Sequence, residues 1–443
     1  MTALGTLIDR AGRLLDAEPR REPFEITRRV GGPLRDLWTS IPVWARILVI
    51  YLVSRLFTTA MMVAFANNEG QTWQTSAKPG YLEFANIWDA KWYSRIASGG
   101  YPSELPVSPE GHITESAWAF MPVYPMLVRL IMAATTLPFE PVAVAVSLLA
   151  GLGCAYAVHR LFRRLVDPDA AMFGVLLVCI MPTSVVFQVG YADGLHAFLL
   201  AVLLVLLVER RWMLMVPFVL IASFTRPTGL AWALTLVLVF LWRWHRDRRE
   251  IEPFTRSERI DVGIVTAISI VSGFGWLIIA GIVTGIPSAY LDTEFAWRSR
   301  YTGWDVYHGP FSGWIQGAHF WIDYATGRSL PEPWRDLITW GGGTLLVILF
   351  FGACTWLLLG PIGRRLGAEV RLWALSYLVY ILAVFFPQSS TFRLLMPLFP
   401  TLAVVAVPKS PLYRVLMVIG SLVGQVVWFL YCWYVMDGDW SPP

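Results

Sequence analysis

A chain of 443 residues that is 56% hydrophobic and only 15% charged, with a mean hydropathy of +0.56, is too apolar for a soluble globular domain. Its formal net charge of +4 is carried by arginine-rich loops and gives no nucleic-acid signal. The apolar runs are about 17 to 25 residues long and lack the alternation of barrel strands, so they read as helices. The expected fold class is all-α, a polytopic integral membrane protein.

Residues 1–42 carry Arg10, Arg13, Arg20, Arg21, Arg28, Arg29 and Arg35 without a cleavable apolar segment. They read as a cytoplasmic amphipathic tail. Residues 43–436 read as a single transmembrane domain, and 437–443 as an outer tail. Spans are expected near 43–66, 141–163, 169–188, 192–208, 212–225, 228–244, 261–285, 338–359, 370–386, 393–408 and 412–436. Cys154, Cys179, Cys354 and Cys432 all fall in apolar runs without metal-type spacing. They read as small core residues, and no metal site or disulfide is expected.

The stretch 118–138 is long enough to cross but is broken by Pro122 and Pro125 and carries Arg129. If it lies against the membrane instead of crossing, four basic loops fall on one side with the N-terminus. These hold Arg160, Arg163 and Arg164; Arg210 and Arg211; Arg243 through Arg259; and Arg364, Arg365 and Arg371. The positive-inside rule is then satisfied throughout, giving about eleven crossings in the plasma membrane with the N-terminus cytoplasmic and the C-terminus outside.

That topology places Asp89, Glu115, Tyr191, Asp193, Arg226 and Arg393 on the extracytoplasmic side, with two long loops, 67–140 and 287–337. Ordered loops of that length point to a site assembled there. Asp89 stands among aromatics beside the membrane, where an acid costs roughly 2.5–3.5 kcal/mol at a helix centre. It reads either as a functional acid or as a solvated acid near the headgroups.

The second loop holds Asp292, Glu294, Arg298, Arg300, Asp305, His308, His319 and Asp323 among many aromatics. The mixture suits a sugar, whose C–H faces stack on rings, and equally an interfacial aromatic belt. His308 and His319 read as structural or surface residues rather than metal ligands. Arg226 and Arg393 fit bidentate contact with a phosphate or, alternatively, snorkelling to headgroups. Asp193 is a further partner for either.

Four segments in order carry a resemblance: WDAKWYSRIASGGYP, ESAWAFMPVYPMLVRL, MPTSVVFQVGYADGLHAFL and SFTRPTGL. Together they resemble the PIG-V family, the second mannosyltransferases of GPI-anchor assembly and their bacterial relatives. Tyr191, Asp193 and Leu195 stand where the family has YSE-L, with Asp for Glu. Arg226 and Gly229 keep the Arg and Gly of the family's R-NG, from which Pro227 and Thr228 depart. The C-terminal half resembles the family only through Arg393 and Pro397.

The resemblance implies a GT-C-type glycosyltransferase fold with juxtamembrane helices in the first outer loop. It also implies mannose transfer from a polyprenyl-phosphate-mannose donor to a glycolipid or glycan acceptor on the outer face, as in cell-envelope glycolipid biosynthesis. In this reading Asp89 is the general base, with Lys91 or Arg95 favouring its ionised form, and Arg226 and Arg393 bind the donor phosphate. Lys91, Glu115, Tyr191, Asp193 and His308 are expected substrate contacts, Glu115 alternatively holding Arg129. No metal or other cofactor is required. A transferase using another polyprenyl-phosphate sugar, a secondary transporter and a non-catalytic scaffold or flippase partner are the alternatives; a transporter predicts an inverted repeat, which the sequence lacks.

Overall fold

The computed structural model describes residues 33–326 and 334–435, together with Leu15 and Pro331. Most of the predicted N-terminal tail and all of the predicted 437–443 tail lie outside the described residues. Within them the chain is all-helical apart from one antiparallel bridge between Val107 and Ile113. Six helices are long and apolar enough to cross a bilayer: Val43–Ala66, Phe139–Leu165, Arg256–Thr284, Trp334–Leu359, Gly363–Val384 and Pro411–Trp433. The chain is a multi-pass membrane protein.

Among the described residues one bent helix pair is also apolar enough to form a broken span or a re-entrant loop. Pro168–Ile180 and Pro182–Gln188 meet at a 74° bend, where Pro182 supplies no amide hydrogen to continue the helix. Arg55, buried within Val43–Ala66, caps the break: its Nη2 donates to the carbonyl of Cys179 and its Nη1 to that of Ser184, both at 2.6 Å. Carbonyls freed inside an apolar bundle must find donors, and one guanidinium serves two of them.

The remaining predicted spans are shorter apolar helices, Ala192–Val208, Trp212–Ser223 and Met396–Val405, together with the more polar Gly229–Arg248. Their brevity has a local reason, because the segments flanking them, around Tyr191, Arg226 and Arg393, turn aside to form a polar cluster. The stretch 118–138 contains Val123–Thr135, 13 residues and so about 20 Å long, less than the hydrocarbon thickness.

Phe139–Leu165 packs lengthwise on Ala192–Val208, and Gly229–Arg248 packs on both Arg256–Thr284 and Gly367–Val384. A Cβ on Gly229 would lie 2.7 Å from Gly273 Cα, so this crossing requires glycine. At one end of the bundle Glu209 binds Arg160 and Arg164, while Arg243 binds Glu252 and Glu258. Asp193 and Arg226 lie at the opposite ends of the same helices. The first long loop carries Asp89–Gly99, and the second carries Ala289–Thr302 and Ser312–Ala325.

Candidate active site

Asp89 opens the helix Asp89–Gly99 and is aimed by the residue before it. Trp88 has φ +56°, a conformation costing a bulky residue about 1–3 kcal/mol. Side-chain contacts hold it there. Its Nε1 donates to the carbonyl of Trp433 at 2.9 Å, and Trp433 Nε1 donates in return to the carbonyl of Phe84 at 3.0 Å.

The turn before Trp88 lies against Gly190, whose amide donates to Ala85 O at 3.0 Å. A Cβ on Gly190 would fall 2.1 Å from Asn86 Oδ1, so the GY pair is glycine first for close approach. Tyr191 then reaches the site: its hydroxyl accepts from the backbone N–H of Asp89 at 3.1 Å. Burial, with Asp89 beside it, pushes this hydroxyl well above its ordinary pKa. The Arg393 guanidinium lies 4.9 Å over its ring.

Four charges from four separate segments converge here. Arg393 Nη1 donates to Asp89 Oδ2 at 2.7 Å and lies 3.3 Å from Asp193 Oδ2, which also pairs with Arg226 Nη2. His196 Nε2 and Thr228 Oγ1, 3.0 Å apart, tie the Asp193 helix to the Arg226 turn. The side chains of Arg393 and Asp193 are 5% and 8% exposed, those of Asp89 and Arg226 15% and 16%. The cluster therefore has a buried floor and an open lip.

Two acids and two arginines cancel in formal charge, yet their hydrogen-bonding capacity is not used up. Asp89 Oδ1 makes no hydrogen bond among the described residues. Nε of both Arg226 and Arg393 is buried without a partner.

Lys91 is exposed and makes no ion pair among the described residues; the cation beside Asp89 is Arg393. Glu115 pairs with Arg300 of the second loop, while Arg129 is exposed. Burial raises the Glu115 carboxyl against the pull of Arg300. His308 is exposed, with its ring stacked on Phe295 at 4.0 Å, and is not brought to the cluster. A cavity of about 520 Å³ in the first loop is lined by Trp92, Arg95, Glu104, Glu115 and Ser116. Among the described residues no three His, Cys, Asp or Glu side chains are grouped to hold a metal ion.

One further acid adjoins the cluster. Trp92 and Trp297 meet edge to face at 6.0 Å, and Ser116 Oγ lies 3.2 Å from Thr293 Oγ1. These contacts join the helix Ala289–Thr302 to Trp92 of Asp89–Gly99 and to Ser116, which caps the turn Ala117–Ala119. Trp297 and Glu294 share a helix face, as do Trp92 and Asp89, so Glu294 faces the Asp89 side of the site. Its side chain is exposed, yet the surrounding helices raise its carboxyl to about 7 by desolvation. Tyr290 and Arg226 pull it down and Asp89 pushes it up. The Tyr290-Glu294-Trp297 spacing is the sequence signal for this residue, and it becomes legible only once the segment is known to be helical.

No protein-family model matches the sequence, and no curated protein does. Solved structures resembling it in outline include the Archaeoglobus fulgidus oligosaccharyltransferase tethered with an acceptor peptide containing the NVT sequon. The match has 12% identity, covers 86% of this chain and 55% of that one, and has a TM-score of 0.44. The same enzyme in complex with Zn and sulfate matches with 11% identity, 86% and 52% coverage and a TM-score of 0.43. The oligosaccharyltransferase AglB from Archaeoglobus fulgidus, in complex with an inhibitory peptide and a dolichol-phosphate, matches with 13% identity, 87% and 50% coverage and a TM-score of 0.35. The chain spans about half the length of these proteins.

Proposed function

We propose that this chain is an inverting membrane glycosyltransferase of the GT-C type, moving mannose from a polyprenyl-phosphate-mannose donor to a hydroxyl of a glycolipid or glycan. The observation that carries this reading is the convergence of Asp89, Asp193, Arg226 and Arg393 at one end of an apolar bundle. A lipid-linked donor needs an apolar groove for its chain and cations for its phosphate at the same depth. Arg226 at the lip and Arg393 on the floor of the cluster supply the cations, at one end of an apolar helix bundle.

In the reaction, the acceptor oxygen attacks the anomeric carbon as the bond from that carbon to the phosphate oxygen breaks. The acceptor proton passes to Asp89 Oδ1, the carboxylate oxygen left free while Oδ2 is held by Arg393. The electron pair of the broken bond leaves with the polyprenyl phosphate. Arg226 and Arg393 stabilise the charge that grows there, with Asp193 fixing both guanidiniums in place. The basic loops lie at the other end of the bundle, which by the positive-inside rule supports an extracytoplasmic site, in the proposed setting of the plasma membrane. Mannose is assigned from the PIG-V resemblance, and no metal enters the proposed steps.

The test is transfer from radiolabelled polyprenyl-phosphate-mannose to lipid acceptors in membranes. Wild type transfers label in the presence of EDTA, and Asp89→Asn does not. Equal label in both removes Asp89 from the mechanism. Absence of transfer from every polyprenyl-phosphate sugar tried overturns the function.

A further inference from the structure

The helix Ala289–Thr302 brings more to the cleft than the contact between Trp297 and Trp92. Tyr290, Glu294 and Trp297 recur at the spacing of one helical face, and that face looks towards Asp89. Tyr380, from the helix Gly367–Val384, interacts with both Tyr290 and Glu294. The Tyr290 hydroxyl is hydrogen-bonded to the Glu294 carboxyl, while the Tyr380 hydroxyl makes no hydrogen bond among the described residues. Three oxygen-bearing side chains from two elements thus lie together, with the Tyr380 hydroxyl unpaired and the Glu294 carboxyl able to make more than its one bond to Tyr290.

Their place fixes what they can touch. In the proposed reaction the sugar ring lies between its leaving phosphate at Arg226 and the attacking hydroxyl at Asp89. Glu294 interacts with both Arg226 and Asp89. A carboxyl that feels the charge of both groups, on the helix face that carries Trp297 to Trp92, stands on the side of the site where the ring would lie.

We propose that Glu294, with Tyr290 and Tyr380, binds the hydroxyls of the donor sugar and selects which hexose is transferred. This rests on the glycosyltransferase reading and extends it to a residue with no other assigned role. Ring hydroxyls both donate and accept, and a carboxyl flanked by two phenols can match either direction of each bond. A site built on such pairs discriminates epimers, since a misplaced hydroxyl leaves enclosed polar groups unpaired. The raised Glu294 carboxyl agrees with this placement, because a proton retained near neutrality spares the donor phosphate a third nearby carboxylate.

The experiment uses the purified full-length chain in lipid nanodiscs, with polyprenyl-phosphate-mannose and its glucose epimer as donors. Wild type, Glu294→Gln, Glu294→Ala, Tyr380→Phe and Asp89→Asn are compared. Loss of one hydroxyl contact is expected to raise the donor KM by about tenfold in the Glu294 variants, with a smaller change in kcat. The preference between the two epimers is expected to narrow by a similar factor. Thermal unfolding of each variant separates a loss of binding from a loss of fold, and the milder Tyr380→Phe change supplies the same readout if Glu294→Ala is unstable. An active wild type whose donor KM and epimer ratio survive all three substitutions overturns the sugar subsite alone. A wild type that transfers neither sugar, nor any other polyprenyl-phosphate sugar, overturns the underlying reading and the subsite with it.

Discussion

Arg393 holds Asp89 from 304 positions further along the chain, Nη1 to Oδ2 at 2.7 Å. The pairing gives the two ends of one hydrogen bond different kinds of work. Asp89→Asn preserves shape but cannot take a proton, so transfer should fall by roughly 10²–10⁴-fold while donor binding is retained. Arg393→Ala leaves Asp89 and Asp193 facing each other across a buried floor, and stranding a buried charge costs about 3–5 kcal/mol. That variant should lose thermal stability as well as donor affinity. The check is a paired measurement of unfolding midpoint and donor KM; a fully stable Arg393→Ala protein contradicts the account.

Gly190→Ala tests the approach of the two loop segments. The added methyl would meet Asn86 Oδ1 at 2.1 Å and Ala90 Cβ at 3.2 Å. Asn86 cannot swing away freely, since its Nδ2 donates to Leu82 O at 2.8 Å. Stability should fall by the about 1–3 kcal/mol typical of overpacking, with a loss of activity beside it as Asp89 is displaced. Combining it with Asn86→Ala should recover part of the loss, and a double variant no better than the single one rules out this clash.

Arg55→Met probes the bent helix pair. It strands the carbonyls of Cys179 and Ser184 in apolar surroundings, at about 1–3 kcal/mol for each. Arg55→Lys should lie between the two, because a single ammonium replaces a fork that reaches both carbonyls. The measurement is the unfolding midpoint in detergent, in the order wild type, Lys, Met.

Glu294 predicts a pH dependence with a definite sign. Its folded carboxyl is raised to about 7, so the folded protein keeps a proton that the unfolded chain has already released. Stability from this group therefore falls as pH rises from the ordinary carboxylate range to about 7, and is level above it. Donor KM should also rise through neutrality, since ionised Glu294 then repels the donor phosphate. Asp89, Arg226, Tyr290 and Tyr380 are the ionisable groups that interact with it. A KM profile as steep in Glu294→Gln as in wild type would assign the titration to another group.

The class of fold is readable from run length and charge, because the bilayer imposes both directly on sequence. The polar residues that cluster were also legible one at a time: Asp89, Asp193, Arg226 and Arg393 are conspicuous where apolar runs end. Their pairing was not. Which arginine meets which acid depends on how four segments turn, and nothing near Asp89 in sequence announces Arg393, whereas Lys91 sits two residues away and is exposed. Glu115 shows the same limit, since Arg300 comes from the other loop. Glu294 escaped selection because its neighbours suit an aromatic belt equally well, and its value depends on Trp297 resting on Trp92.

The clasp between Trp433 and the first loop sets an order of events in biogenesis. Trp88 and Phe84 emerge from the ribosome long before Trp433, and Asp89 and Asp193 precede Arg393 by 304 and 200 positions. Until the last helices enter the bilayer, two acids share one guanidinium and Trp88 lacks the partner that offsets its backbone strain. A chain without its last segments has neither the Arg393 contact to Asp89 nor the Trp433 contact to Trp88. The order in which the cluster is completed is therefore set by the length of chain between its acids and their second cation.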